Sequence, residues 1–342
     1  MPSSPPPRSR TARRHTTGAA VHSLAGRPGP PDDTHPGIVV RSHGLWHEVA
    51  AEDSDAVVIA TVRGQLKRQR RSTDIVAVGD RVWITRLPEN EAVIEYVSPR
   101  TRTLGRTARH TRDVVQVILA NPDQVMLVFA VHQPEPHLRM LDRFIILAEL
   151  QEVPIQLVVT KLDLDGFGGS RCAREVFADY ERSFPIHYVS VLTGEGMDGL
   201  GRALAGRVSA VAGPSGVGKS SLLNFLDPGN KRDTSEVSLA TGKGRHTTVG
   251  ARLHPLGNGT FVADTPGIRA LAMVSVAAED LDWSFRELRP YLGQCFYQDC
   301  SHVHEPDCAV REAVAQGEIP AGRYQSFLAL RQGDEIDNTP VR

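Results

Sequence analysis

Glycines at 213, 216 and 218, followed by Lys219 and Ser220, form a loop suited to holding phosphate. Glycine lets the backbone turn its N–H groups inward, and a helix beginning beneath adds the positive end of its dipole. In the run Gly213-Pro214-Ser215-Gly216-Val217-Gly218-Lys219-Ser220-Ser221, the Lys219 ammonium would reach the outer phosphates and the Ser220 hydroxyl would hold Mg²⁺. The apolar stretch 208–212 reads as a strand and the stretch after Lys219 as a helix, which is the context this chemistry requires.

Two more motifs bear on a purine triphosphate. Asp264-Thr265-Pro266-Gly267 follows the short apolar strand 261–263; Asp264 would act on Mg²⁺ and Gly267 would sense a γ-phosphate. Thr160-Lys161-Leu162-Asp163 closes the strand 155–160. A carboxylate at Asp163 accepts hydrogen bonds from guanine N1–H and its 2-amino group, whereas adenine would leave it unpaired, a difference worth a factor on the order of 10⁴. Ser190, at the end of strand 186–190, would bring a backbone N–H to guanine O6. Each short motif alone is common. Their order is unusual, because the base-reading motif precedes the phosphate loop, the reverse of ordinary GTPases. The parts are present in a rotated order, with the nucleotide-sensing loops at the carboxyl end of their domain.

Between the phosphate loop and Asp264 lies Gly242-Lys243-Gly244-Arg245-His246-Thr247-Thr248. Thr247 or Thr248 would complete a Mg²⁺ shell, and the sequence does not choose between them. Ile268 follows Gly267 where Ras-like proteins carry a water-orienting glutamine, which predicts slow unassisted hydrolysis. His246 is the nearest candidate to replace that glutamine. Thr160 stands where asparagine is usual, which predicts looser loop packing, and Pro214 removes one backbone donor.

Cys295-x4-Cys300-x-His302-x5-Cys308 supplies three thiolates and an imidazole with no open position, the ligand set of one structural Zn²⁺. His304 is an alternative to His302, which the shorter spacing favours. Cys172 falls in a helical pattern away from the group and is expected to pack.

These residues need elements to position them. Runs at 38–40, 45–49, 57–62, 81–84 and 93–97, punctuated by turn residues, predict a small barrel of OB or SH3-like type. Lys67-Arg68-Gln69-Arg70-Arg71 lies between the third and fourth of these runs and the series Arg100, Arg102, Arg106, Arg109 and Arg112 follows the barrel, together a candidate phosphate-tracking surface. From 114 onward strands (124–131, 155–160, 186–190, 208–212, 261–263) alternate with helices (137–151, 171–184, 197–204, 219–226), which implies a parallel sheet covered on both faces. Helical patterns at 281–291, 308–315 and 321–331 surround the cysteines. The first 36 residues are rich in proline and arginine and read as a disordered basic tail; the prolines oppose a transit-peptide helix. The division expected is a tail at 1–36, a barrel at 37–103, a nucleotide domain at 104–275 and a helical zinc-binding domain at 276–342. A net charge of −1 excludes a uniformly basic molecule, and no apolar run reaches the ~18 residues of a membrane span.

Over residues 38–332 this combination resembles the RsgA family of circularly permuted GTPases, also known as YjeQ or EngC. The resemblance implies an α/β P-loop GTPase domain with a permuted parallel sheet, an N-terminal OB-fold β-barrel and a C-terminal helical zinc domain. It implies a GTPase of late small-ribosomal-subunit maturation, stimulated by that subunit, binding its rRNA and using Mg²⁺ with GTP. By motif match it assigns Thr160, Lys161 and Asp163 to guanine, 213–221 to the phosphates, and Cys295, Cys300, His302 and Cys308 to zinc. The histidine of the Gly-Arg-His-Thr-Thr run falls in the family's switch loop, where a catalytic role has been suspected. A cytoplasmic monomer is expected. The rival readings are a P-loop ATPase or kinase, which Asp163 opposes, and a non-catalytic RNA chaperone, which intact Lys219, Ser220 and Asp264 oppose.

Overall fold

The computed structural model describes residues 29–53, 56–63, 75–107, 115–166, 171–227, 251–264 and 278–333. Strands β1 (His35–Ser42), β2 (Trp46–Ala51), β3 (Val57–Val62), β4 (Arg81–Arg86) and β5 (Glu91–Val97) close into a barrel of order β1-β2-β3-β5-β4. Alternate residues such as Val49, Val58, Ala60, Val82, Ile84 and Ile94 fill it. The parallel β3–β5 pair and the antiparallel β1–β4 closure give the OB topology rather than the SH3-like one. Strand β1 begins at His35, inside the stretch expected to be tail.

A two-stranded sheet of β6 (Thr103–Thr107) and β7 (Val115–Ala120), absent from the sequence reading, joins the barrel to the next unit. Gly79 makes that junction possible: a Cβ there would lie 2.1 Å from the Ala120 carbonyl oxygen, and its φ is +88°. Arg100, counted above among phosphate-tracking residues, is instead an internal tie. Its Nε and Nη2 each lie 2.7 Å from the carboxylate of buried Asp80. A bidentate pair with a buried carboxylate leaves that guanidinium committed to the fold. Arg102 donates to the Glu152 carbonyl. The cluster 67–71 and Arg109 and Arg112 lie outside the described residues.

The larger sheet has the order β10-β9-β8-β11-β13-β12, from β8 (Gln124–Ala130), β9 (Ile155–Thr160), β10 (Ile186–Tyr188), β11 (Val208–Ala212), β12 (Arg252–Gly257) and β13 (Thr260–Asp264). All neighbours are parallel except β12 with β13. Every residue of β8 is buried, as a central strand covered on both faces requires. Val125, Leu127 and Phe129 pack toward helices α1 (Leu138–Leu150) and α2 (Ala173–Glu181). Met126 and Val128 pack toward α3 (Met197–Leu204) and α4 (Lys219–Leu226). Cys172 heads α2 at its N-cap rather than standing within the helix.

The chain enters at central β8, runs outward through β9 and β10, then returns to β11 on the other side of β8. Ligands of open α/β sheets bind where the strand order reverses, at the carboxyl ends. Here those ends carry Thr160 and Gly213.

The C-terminal elements are α5 (Ala278–Ser284), a 3-10 turn (Arg289–Tyr291), α6 (Ala309–Ala315) and α7 (Ala321–Arg331). The helix expected over 281–291 is instead two pieces, ending at Ser284 and resuming as a 3-10 turn with Pro290 at its start, where the missing N–H is not needed. Their core includes Phe285, Leu288, Val310, Ile319 and Phe327, and also Ile146 of α1. Helix α1 therefore belongs to both cores. Polar ties reinforce the contact. Arg323, 1% exposed, donates to Asp142 of α1 and, at 2.9 Å, to Glu287, while Tyr180 donates to Asp142 at 2.7 Å. Glu149 of α1 accepts from Arg286 and Arg289, each at 2.6 Å. Burial pushes the Asp142 carboxyl above its ordinary value, with Arg323 pulling it back.

Candidate nucleotide site and metal cluster

Buried β11 ends at Ala212, and the chain leaves it through Gly213 at φ +148°. A Cβ at Gly213 would meet the Val128 carbonyl at 2.1 Å, so only glycine fits between the loop and β8. Gly216 and Gly218 also have positive φ (+78° and +89°), and Gly218 is the N-cap of α4. Val217 is buried in the core under α3 and α4, whereas Ser215 and Gly216 are exposed. The loop is thus pinned at Gly213 and Val217 and open between them. The Lys219 ammonium lies 3.0 Å from the Gly213 carbonyl and 2.5 Å from that of Pro214, across the loop. Ser220, in the first turn of α4, is half-buried, and Ser221 is exposed.

Thr160 is the last residue of β9 and is 2% exposed. Its hydroxyl donates to the Val217 carbonyl at 2.5 Å, joining residues 57 positions apart. The looser packing expected from threonine at this position is therefore not found, because the shorter side chain still spans the gap. Lys161 follows with φ +59° and donates to the Gln133 carbonyl in the loop after β8. A 3-10 turn (Leu162–Leu164) presents Asp163 at the surface. The hydroxyl of Ser190, fully buried, donates to Asp163 Oδ1 at 2.5 Å and accepts from the Thr193 N–H at 3.2 Å. The sequence reading gave Ser190 only a backbone role; the structure adds a side chain that orients the carboxylate. It missed Gln133 altogether, where the one available signal was the pair of prolines at 134 and 136 directly after a strand.

Asp264 ends β13, with its backbone in register opposite Val211, one residue before the end of β11. That register brings β13 out beside the phosphate loop. His246, Thr247, Thr248 and Gly267 lie outside the described residues.

The Cys295, Cys300 and Cys308 sulfurs and a His302 ring nitrogen all lie within 4.8 Å of one another. Sulfurs at about 2.3 Å from a tetrahedral Zn²⁺ stand about 3.8 Å apart, and sulfur and imidazole nitrogen about 3.6 Å. Cys295 and Cys308 sulfurs are 3.8 Å apart, and His302 Nδ1 is 3.4 and 3.5 Å from them. Cys295, Cys308 and His302 therefore stand at the spacings such an ion needs, and Cys300 lies within 4.8 Å of each of them. Glu305 accepts from the Ser301, Val303 and His304 backbone N–H groups, and its carboxyl is held well below the ordinary range first by the Ser301 hydroxyl and then by backbone N–H groups, those of Ser301 and His304 among them. Tyr324 donates to the His302 carbonyl at 2.7 Å. Together they fix the turn in which His302 adopts φ +63°. His304 is exposed and outside the group.

The sheet order, the phosphate loop and the earlier-placed base motif define a circularly permuted P-loop GTPase carrying an OB barrel and a Cys3His module. The family model of the RsgA GTPase matches residues 97–274. The small ribosomal subunit biogenesis GTPase RsgA of Gemmatimonas aurantiaca is 43% identical over 303 residues, covering 88% of this chain and 97% of that protein. Its namesake from Thermotoga maritima is 39% identical over 294 residues, covering 86% and 95%. Among solved structures, YjeQ from Thermotoga maritima superposes with a TM-score of 0.73 at 36% identity, covering 88% of this chain and 98% of that one. YloQ, described as a circularly permuted GTPase, gives 0.68 at 25% identity, covering 90% and 97%. The chain belongs to the RsgA family of GTPases.

Proposed function

We propose that this GTPase acts on the small ribosomal subunit during its maturation, with one GTP lying across the carboxyl ends of β9, β11 and β13. The observation that carries the reading is the Thr160–Val217 hydrogen bond, which sets the base motif against the phosphate loop. The subunit is the one that the relatives' names specify.

In this reading Lys161, Leu162 and Asp163 face guanine, with Ser190 orienting the carboxylate. The backbone from Gly213 to Ser221 surrounds the phosphates, and Lys219 leaves the Gly213 and Pro214 carbonyls to neutralise them. Ser220 and Asp264 would hold Mg²⁺, with Thr247 or Thr248 joining them and Gly267 contacting the γ-phosphate. When bound, Mg²⁺ supplies positive charge to the β- and γ-phosphate oxygens. Ile268 offers no group to orient water, so hydrolysis is slow until the subunit completes the site, with His246 the candidate within this chain. Cys295, Cys300, His302 and Cys308 would hold one Zn²⁺ that organises the C-terminal helices. The protein works as a cytoplasmic monomer that reaches rRNA through its barrel.

The test is GTP hydrolysis by the full chain with and without purified small subunits. Turnover should be slow alone, rise with subunits, and disappear in Lys219→Ala. No turnover with subunits present would favour the chaperone reading, and equal affinity for ATP the ATPase one.

A further inference from the structure

Two aromatic rings of the C-terminal module stand in solvent. Phe296 and Tyr297, 74% and 43% exposed, lie between Cys295 and Cys300 of the Cys3His group. Their centroids are 5.1 Å apart with the rings at 83°, so the two ring faces look in different directions. The Phe296 N–H donates to the Asp307 carbonyl at 3.2 Å, and the Cys300 N–H to that of Tyr297 at 3.4 Å. These bonds set the rings between two exposed aspartates, Asp307 across the loop and Asp299 two residues beyond Tyr297. Among the described residues no ion pair engages either carboxylate.

Charge decides what these rings suit. Residues 278–333 carry nine carboxylates, five arginines and no lysine. The arginines are already engaged: four of them hold carboxylates, and Arg311 donates to the Glu305 carbonyl. A Zn²⁺ held by three thiolates would leave one more negative charge on the group. A phosphate backbone brought to this module therefore meets like charge. An aromatic face flanked by carboxylates suits a guanidinium instead, which stacks flat on a ring while its N–H fork bonds a carboxylate. A lysine ammonium, compact and strongly hydrated, gains less from the ring.

We propose that Phe296, Tyr297, Asp299 and Asp307 form a docking surface for an arginine-bearing segment of a basic protein, and not for the phosphates of RNA. Arginine side chains of that segment stack on the two rings and pair with the two aspartates. The surface draws on neither the nucleotide site nor the barrel, so it adds a protein contact to the function proposed above.

The experiment uses the full chain at low ionic strength with three probes: acetylated, amidated ten-residue peptides alternating glycine with arginine or glycine with lysine, and decauridylate as the RNA. Binding is measured by calorimetry, with zinc content and circular dichroism verifying each variant. The arginine peptide should bind about fivefold tighter than the lysine one, the gain that ring stacking provides. Phe296→Ser with Tyr297→Ser should remove that preference. Asp299→Asn with Asp307→Asn should weaken both peptides about tenfold, whereas Glu91→Gln, on the exposed surface of the barrel, should change neither. If the doubly substituted aspartate variant does not fold, Asp307→Asn alone is read by the same criteria. Equal affinity of wild type for the two peptides, or binding unmoved by the aromatic and aspartate changes, would overturn the proposal. A decauridylate affinity that falls with Phe296→Ser and Tyr297→Ser would assign the rings to RNA and overturn it too. Peptide binding that emerges only once Arg8, Arg10, Arg13 and Arg14 are replaced by serine would give the surface to the chain's own N-terminal stretch, and a separate protein partner would be overturned.

Discussion

Replacing Arg323 by methionine should strike the tie between the nucleotide domain and the cysteine-bearing helices. The side chain is buried, donates to Asp142 and Glu287, and stacks at 4.6 and 5.0 Å over the Phe285 and Tyr180 rings. Methionine fills much of the same space but leaves two buried carboxylates without their cation. Breaking such a pair from one side costs about 3–5 kcal/mol. Against a total stability of about 5–15 kcal/mol this is a large share. With a urea dependence of about 2–3 kcal/mol per molar, the midpoint should fall by about 1–2 M. Arg81→Ala is the control, since Arg81 and Glu52 are 58% and 47% exposed at the side chain, and it should cost at most about 0.5 kcal/mol. Adding Asp142→Asn to Arg323→Met removes one stranded charge while keeping an acceptor for Tyr180. The double variant should be less destabilised than the sum of the single ones by about 1–3 kcal/mol. Urea titrations followed by circular dichroism measure wild type and the four variants, Arg323→Met, Asp142→Asn, their combination and Arg81→Ala. An Arg323→Met midpoint equal to the Arg81→Ala one, or strict additivity of the pair, would refute the coupling.

Metal analysis of the purified chain should find one zinc, which Cys308→Ser loses together with thermal stability, while Cys172→Ser retains both. His47 faces the barrel interior with its pKa lowered from 6.5 to about 4 by burial and by His43, so it folds as neutral imidazole. The unfolded chain takes up that proton first; stability should be full above about pH 6.5 and fall by on the order of 1–2 kcal/mol toward pH 4, a slope that His47→Phe reduces.

Where a run of residues has one environment along its whole length, its structure was legible in the sequence. Gln124-Val-Met-Leu-Val-Phe-Ala130 is apolar on both faces because both are covered, and the cysteine spacing states its ligand set directly. Strand β12 was missed since Pro255 and Gly257 interrupt any alternation, which an edge strand tolerates. Asp142 and Glu149 lie in the helix expected over 137–151, and nothing in that pattern shows that Arg323, Arg286 and Arg289, from a segment remote in sequence, come to meet them. Arg100 likewise looked like a phosphate contact until Asp80 came to meet it. The site was readable as residue types and strand ends, but not as geometry: nothing in the string says that the Thr160 hydroxyl reaches Val217.

The claim that a base motif and a phosphate loop in rotated order serve one nucleotide is tested most directly by changing the base that Asp163 prefers. In xanthine a carbonyl replaces the 2-amino group, so the amide introduced by Asp163→Asn would donate where the carboxylate once accepted. Affinities for GDP and XDP should be measured in wild type, Asp163→Asn and Lys219→Ala. The account predicts that Asp163→Asn loses GDP by at least about 100-fold and gains XDP, and that adding Lys219→Ala weakens the XDP so gained. Unchanged GDP affinity in Asp163→Asn, or XDP binding indifferent to Lys219, would contradict it.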